Sequence, residues 1–148
     1  MAGKNKKVKQ KKNSQTKGKG TIIDTSLKRP DYNEMYGRIA FTNVSHHKSC
    51  NISTWHDTEL KLLIECFKKI EALKWKDIFK DSGLNWERNS NIAIQLPSGL
   101  PEDSKLHSVR VDGKKRIYGY RVQEYFYIIW FDRNHIVCPE NKPKKYPA

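Results

Sequence analysis

Two blocks of sequence decide how this chain folds: Leu106-His-Ser-Val-Arg-Val-Asp-Gly-Lys-Lys-Arg-Ile-Tyr-Gly-Tyr-Arg-Val122 and Tyr125-Phe-Tyr-Ile-Ile-Trp-Phe-Asp-Arg-Asn-His-Ile-Val137. Both are rich in Val, Ile, Tyr, Phe and Trp, which suit a pleated surface. Asp112-Gly113 is a strong hairpin signal and Gln123-Glu124 a weaker one. Residues 106–138 therefore read as three antiparallel strands. Side chains alternate faces along a strand, so turn length decides which residues share a face. An odd loop at Asp112-Gly113 keeps Val109, Val111 and Ile117 together and sets Arg110 beside Arg116. A two-residue turn at Gln123-Glu124 then extends the apolar face through Gly119, Phe126, Ile128 and Trp130. The other face collects Arg110, Arg116, Tyr118, Tyr120, Tyr125, Tyr127, Ile129 and Phe131. Arg121 falls on the apolar face, where it must reach out from an edge. Gly119 admits a closely approaching helix or marks a bulge.

The apolar face needs a cover, and the preceding sequence supplies one. Leu60, Leu63, Ile64, Phe67, Ile70 and Leu73 recur at three- and four-residue spacing, which predicts a helix over 54–73 with one apolar stripe. Thr54 and Asp57 stand before it with the spacing of an N-terminal cap. Trp75, Ile78 and Phe79 predict a second, short helix that closes near Gly83. Residues 84–105 read as a connector in which Ile92, Ile94 and Leu96 alternate like a short strand, ended by Pro97-Ser-Gly-Leu-Pro101. The expected fold class is α+β, two helices packed on a small twisted antiparallel sheet, over residues 54–140. Residues 21–53 form an extension in which Thr21–Asp24 and Arg38–Thr42 are candidate short strands. Residues 141–148 are a C-terminal tail.

The 148 residues carry a formal charge of +13. Charge of that size and sign points to a polyanionic partner. It is unevenly spread: residues 1–20 hold eight lysines and no acid. That segment has too little apolar surface to offset chain entropy and is expected to be a disordered basic tail. Three cysteines without a Cys-x-x-Cys pair fit a reduced, cytoplasmic setting. No apolar run is long enough for a bilayer, and no membrane partner is expected.

The basic, aromatic sheet face suits RNA. Arginine grips phosphate oxygens with a two-pronged fork, and aromatic rings stack on unpaired bases. The plainer alternative is that tyrosines are good strand formers and arginines solvate a sheet.

The order of elements is a helical stripe, a connector, a strand with Val-Arg, a Gly turn, a strand with Arg-Ile-Tyr and a last strand ending in His-Ile-Val. Over residues 55–138 this resembles the RelE/ParE toxin superfamily, with Trp130-Phe-Asp-Arg-Asn-His135 looking like a RelE-like branch. The resemblance implies a toxin of a toxin–antitoxin pair. It further implies an endoribonuclease that cleaves mRNA, in some members on the ribosome, through the RNA's own 2′-hydroxyl. No cofactor is implied; RNA or the ribosome and a cognate antitoxin protein are the implied partners. Arg110 and Arg116 match arginines flanking the family's Gly turn, the second of them mainly structural in some members. His135 lies near the family's late His or Tyr, which serves as general acid or base. Lys114, Lys115, Tyr118 and Tyr120 would hold the substrate. Asp132 is a departure: it either orients His135 or caps the strand end through backbone hydrogen bonds. The ParE branch acts on gyrase instead, so a protein-binding toxin or a non-catalytic RNA- or ribosome-binding module remains open.

Other constellations are weaker. His46, His47, Cys50 and His56 cluster within eleven residues, but their spacing matches no zinc motif and reads as a polar loop. No metal is expected. Cys66 is read as packing, and Cys138 lacks an activating partner other than His135.

Overall fold

A computed structural model describes residues 28–139. Contacts divide the chain into Met1–Asp31 and Tyr32–Ala148. In the first unit only residues 28–31 are described, without a helix or strand. The expected basic tail, the candidate strand Thr21–Asp24 and the C-terminal tail lie outside the described residues.

The second unit is α+β, as expected. Its elements are β1 (Arg38–Ala40), α1 (Asp57–Ala72), α2 (Trp75–Ile78), β2 (Glu87–Arg88), β3 (His107–Asp112), β4 (Lys115–Val122) and β5 (Tyr125–Asp132), with single 3-10 turns at Tyr32–Glu34 and Ile52–Thr54. They build one five-stranded sheet in the order β1-β5-β4-β3-β2. The sheet is mixed rather than wholly antiparallel, because β1 joins β5 in parallel. The parallel pairing follows from the chain path: Arg38 N donates to Glu124 O at 2.9 Å, which starts β1 beside the first residue of β5. Arg38–Ala40, shorter than the candidate strand Arg38–Thr42, thus belongs to the sheet and is not an appendage. No helix among the described residues is long and apolar enough to cross a membrane.

The two hairpins explain the register. Gly113-Lys114 turns between Asp112 and Lys115, and Val111 is an extra residue before Arg110 meets Arg116. The net shift is odd, so Val109 opposes Ile117 as expected. Gln123-Glu124 is the two-residue turn, with Val122 opposite Tyr125. A second bulge lies on β5: Tyr118 pairs with Trp130 but Gly119 pairs with Ile128, leaving Ile129 unpaired. A bulge reverses face alternation. The expected positions of Trp130 and Phe131 are therefore exchanged: Phe131 packs toward the helices and Trp130 away from them. Gly119 makes this possible, since a Cβ there would lie 2.1 Å from the backbone oxygen of Tyr127. Of the two roles expected for Gly119, the bulge is the one observed.

Helix α1 starts later than expected. Glu59 at its third position reaches back to accept from the His56 backbone N–H at 2.9 Å, while Thr54 lies in a 3-10 turn and bonds Asn51 O. The cap centres on His56 and Glu59, not on Thr54 and Asp57. The buried stripe is Leu63, Cys66 and Ile70, with Leu60, Phe67 and Leu73 half-buried beside it. Ile64, expected in the stripe, is 54% exposed. One helical step of about 100° from Leu63 carries it off the buried face. Short α2 adds Trp75 and Ile78 to the same core, with Val109, Ile117, Phe126 and Ile128 from the sheet. Full burial of each such side chain contributes roughly 1.5–3 kcal/mol. Gly37 lets the chain entering β1 approach α1: a Cβ there would meet Ile70 Cγ2 and Ile70 O at 2.7 Å.

The opposite sheet face, expected to be open, is covered. Leu106, Cys50 and Val137 join Tyr118, Tyr120, Ile129 and Trp130 in a second core, with Ile92 and Ile94 packed on it. Backbone bonds hold this cover in place: Ser45 N to Ile129 O at 2.8 Å, Phe131 N to Cys50 O at 3.0 Å and Ala93 N to Val137 O at 2.7 Å. Ile92–Leu96 is therefore not a strand but part of this covering segment.

Candidate functional site

The cover leaves one polar opening. A pocket of about 340 Å³ is lined by residues that include Arg110, Arg116, Tyr118, His135, Glu87 and Ser108. Three separate pieces of chain bring these together. Strands β3 and β4 supply Ser108, Arg110, Arg116 and Tyr118 from one face. The β2 edge supplies Glu87, whose backbone pairs with Ser108. The loop after β5 supplies His135.

Arg110 and Arg116 are direct cross-strand partners, two like charges held side by side by the ladder. Such a pair is destabilising unless an anion sits near it. Arg116 also pairs in register with buried Asp132 on β5. Its Nη1 donates to Gly113 O at 2.6 Å and Lys115 O at 3.1 Å, which ties the guanidinium to the hairpin turn. Arg110 Nη1 makes a long contact of 3.5 Å to Ser82 O. Its backbone is fixed by Leu84 O at 2.7 Å and by the Cys66 thiol at 3.8 Å.

His135 is half-buried, and its Nδ1 is enclosed with no hydrogen-bond partner among the described residues. Its backbone has φ of 60°, the left-handed region that a residue with a Cβ rarely adopts. Asp132 explains how this is maintained. Its two oxygens accept from Ile136 N at 3.0 Å and Val137 N at 2.9 Å, with the carboxylate fully buried. Asp132 thus shapes the loop that carries His135 and does not bond the imidazole. Of its two expected roles, backbone capping is the one the geometry shows. Sparsely populated conformations persist where surrounding structure over-determines them, and they concentrate at functional sites.

Tyr118 is only 1% exposed. Burial, with Cys138 and Asp132 nearby, pushes its phenol above the ordinary value, and its hydroxyl shares a hydrogen bond with Cys138. Its ring has no open face for base stacking, although the residue lines the pocket. Tyr120 is 4% exposed, its ring stacked on Tyr127 with centroids 5.1 Å apart and its hydroxyl bonded to Asn43. It lies outside the polar pocket. Lys115 points to the helix side, where Nζ is 3.6 Å from Glu59. Lys114 is exposed on the turn and is not among the pocket residues. The substrate-holding set expected from sequence is thus dispersed: of its four members only Tyr118 reaches the pocket. The physical reason is the second core, which takes the tyrosine rings, together with strand parity, which sends Lys115 to the helices.

Glu87, Asn89 and Ser108 were not singled out from sequence. Asn89 Nδ2 donates to Ser108 Oγ at 2.9 Å and to Glu87 O at 3.0 Å. Ser108 stands two residues before Arg110, so parity alone places them on one face. Nothing local marks Glu87, because β2 is two residues long and exists only through its pairing with β3.

Cys50, Cys66 and Cys138 are free thiols, the first two buried. Burial pushes Cys50 and Cys66 up to about 12 and raises Cys138 as well. No three His, Cys, Asp or Glu side chains converge as a metal site would need, among the described residues. His47 Nδ1 accepts from Ser49 N at 3.1 Å within its own loop. Comparison with protein-family models, with curated proteins and with solved structures finds no match to this chain.

Proposed function

We propose that the chain is a RelE-like endoribonuclease toxin that cleaves RNA at this polar pocket. The supporting observation is that Arg110, Arg116 and His135, drawn from distant parts of the chain, line one opening with Glu87 and Tyr118. Two cations face a site that has room for a phosphate, and two groups able to move a proton flank it.

Cleavage by the RNA's own 2′-hydroxyl needs a base, charge stabilisation and an acid. In this reading Glu87 takes the 2′-hydroxyl proton as the 2′-oxygen bonds to phosphorus. Arg110 is the main counter-charge to the phosphorane oxygens, with Arg116 holding the hairpin and adding field. His135 gives its proton to the departing 5′-oxygen as that phosphorus–oxygen bond breaks. The products are a 2′,3′-cyclic phosphate and a 5′-hydroxyl. An antitoxin that blocks the pocket is the expected protein partner, and the ribosome is the expected site of action on mRNA.

The test is induced expression of the intact chain and of His135→Ala in a bacterial host, with growth followed and transcript 5′ ends mapped. Growth arrest with new 5′-hydroxyl ends, both lost in the variant, is the expected result. Removing an acid–base group is expected to slow cleavage about 10²–10⁴-fold. RNA bound equally by both proteins without cleavage would replace this reading by a binding module. Arrest without cleavage would point to a protein target of the ParE kind.

A further inference from the structure

On the other side of the β2–β3 edge lies a larger pocket of about 530 Å³, walled by Phe79, Trp86, Ser104, Lys105, His107 and Arg121 among others. Its chemistry differs from that of the polar pocket. His107 lies flat on Trp86, with centroids 4.5 Å apart and planes 14° apart. Trp86 is braced edge-on by Trp75 at 5.0 Å and by Phe126 at 5.2 Å. The result is a rigid two-ring platform. The guanidinium of Arg121 is layered over Trp75 at 4.6 Å and Phe79 at 5.4 Å. Arg121 does lie on the helix-side face, but instead of reaching out from an edge it packs over these rings with its Nε enclosed.

The platform is ringed by positive charge. Lys105 and Arg121 line the pocket with His107, Arg88 is the cross-strand partner of His107 on β2, and Asp103 is the acid that shares the pocket wall. The hydroxyl oxygen of Ser104 is enclosed with no hydrogen-bond partner among the described residues. His107 Nδ1 lies 3.1 Å from Lys105 O. A carbonyl can only accept, so Nδ1 donates and Nε2 remains as an acceptor on the neutral ring. Flat rings, surrounding cations and unspent polar groups suit a planar, anionic ligand.

The sheet separates this pocket from the first. His107 and Ser108 are consecutive on β3 and face opposite sides of the sheet; His107 lines the aromatic pocket and Ser108 the polar one. Trp86 and Glu87 divide between the pockets in the same way.

We infer that the aromatic pocket binds the base and phosphate of one ribonucleotide in an unpaired RNA strand. That this nucleotide belongs to the RNA cleaved at the polar pocket rests on the RNA-cleavage reading; the pocket's affinity for a single nucleotide does not.

The experiment titrates the full chain with 5′-mononucleotides, with adenosine alone and with inorganic phosphate alone, following the NMR signals of the Trp86 indole and the His107 ring. Mononucleotides are expected to shift both signals and to bind about tenfold more tightly than adenosine or phosphate. His107→Ala and, independently, Lys105→Ala are expected to weaken binding about tenfold. Lys105 is exposed, so its variant carries the test should His107→Ala not fold. The inference is overturned if no mononucleotide moves these signals, if phosphate alone binds as well, or if folded Lys105→Ala binds like wild type. Mononucleotide binding without RNA cleavage would support this inference and sink the cleavage reading alone. Cleavage without a mononucleotide response would do the reverse.

Discussion

His135 and Asp132 carry the sharpest contrast at the scale of single residues. His135 adopts φ of 60°, which costs an L-residue roughly 1–2 kcal/mol. Glycine adopts that conformation freely. His135→Gly is therefore expected to stabilise the fold by about 1 kcal/mol in urea unfolding and, on the proposed function, to slow RNA cleavage about 10²–10⁴-fold. A gain in stability together with lost activity is the signature of strain held for function; a variant less stable than wild type would contradict it. Asp132 has the opposite profile. Asp132→Ala leaves the Ile136 and Val137 N–H groups without their acceptor. Loss of a buried, charge-assisted pair of bonds is expected to cost roughly 3 kcal/mol. In the same experiment, a loss under about 1 kcal/mol would show that the loop is held by other contacts.

At the scale of elements, the β5 bulge decides which residues face which core. Gly119→Ala would place a methyl group on the Tyr127 carbonyl, and backbone cannot move aside as a side chain can. The expected loss is about 3 kcal/mol or more, read by thermal or urea unfolding. The β4–β5 turn offers a gain. Gln123 has φ of 58°, and Glu124 O already accepts from Arg38 N and the Trp75 indole, both at 2.9 Å. The turn is thus held in its strained form by β1 and α2. Gln123→Gly is expected to raise the unfolding midpoint, by about 1 kcal/mol in stability. The element scale is also where parity reasoning stopped working. Alternation placed Val109, Ile117, Phe126 and Ile128 correctly, but it assumed an uninterrupted β5 and so misplaced Trp130 and Phe131. Tyr125 to Phe131 is a nearly continuous aromatic and aliphatic run. Such a run marks a strand buried on both faces, and that signal for the second core was present in the sequence.

Across the whole molecule, one carboxylate ties distant parts together. Glu59 on α1 accepts from Arg133 at 2.7 and 3.0 Å, beyond the end of β5, and from the His56 N–H at the head of its own helix. Lys115 at the start of β4 adds its charge. The Arg133 hydrogen bonds, with the His56 N–H and the two positive charges, hold the Glu59 carboxyl down to about 2. The fold therefore favours the ionised form, and the unfolded chain takes up the proton first. This contribution is fully present above the ordinary glutamate value of about 4.3 and is lost as pH falls toward about 2. Glu59→Gln is expected to flatten the acid limb of the stability–pH curve across that window, measured by urea unfolding. An unchanged limb would assign acid sensitivity to other carboxylates.

Local pattern in the sequence was enough for the α+β class, the long helix, both hairpins and the pairing of Arg110 with Arg116. Each depends on short-range spacing: three to four residues for a helix face, two for a strand face, a Gly or polar pair for a turn. That His135 would share a site with those arginines was an expectation of the family resemblance alone, and the left-handed loop that places it in their pocket was not foreseen. Only tertiary structure decided that Arg38–Ala40 joins β5 in parallel, that Glu87 stands at the pocket and that Tyr118 and Tyr120 are buried. These outcomes depend on contacts between residues far apart in the chain, where a single bulge at Ile129 reverses a face and a loop from Asn89 to Leu106 closes over it. Burial of the apolar run on β5 is the driving force. It took the tyrosines into a second core and left the arginines, the histidine and an unforeseen glutamate around the polar opening.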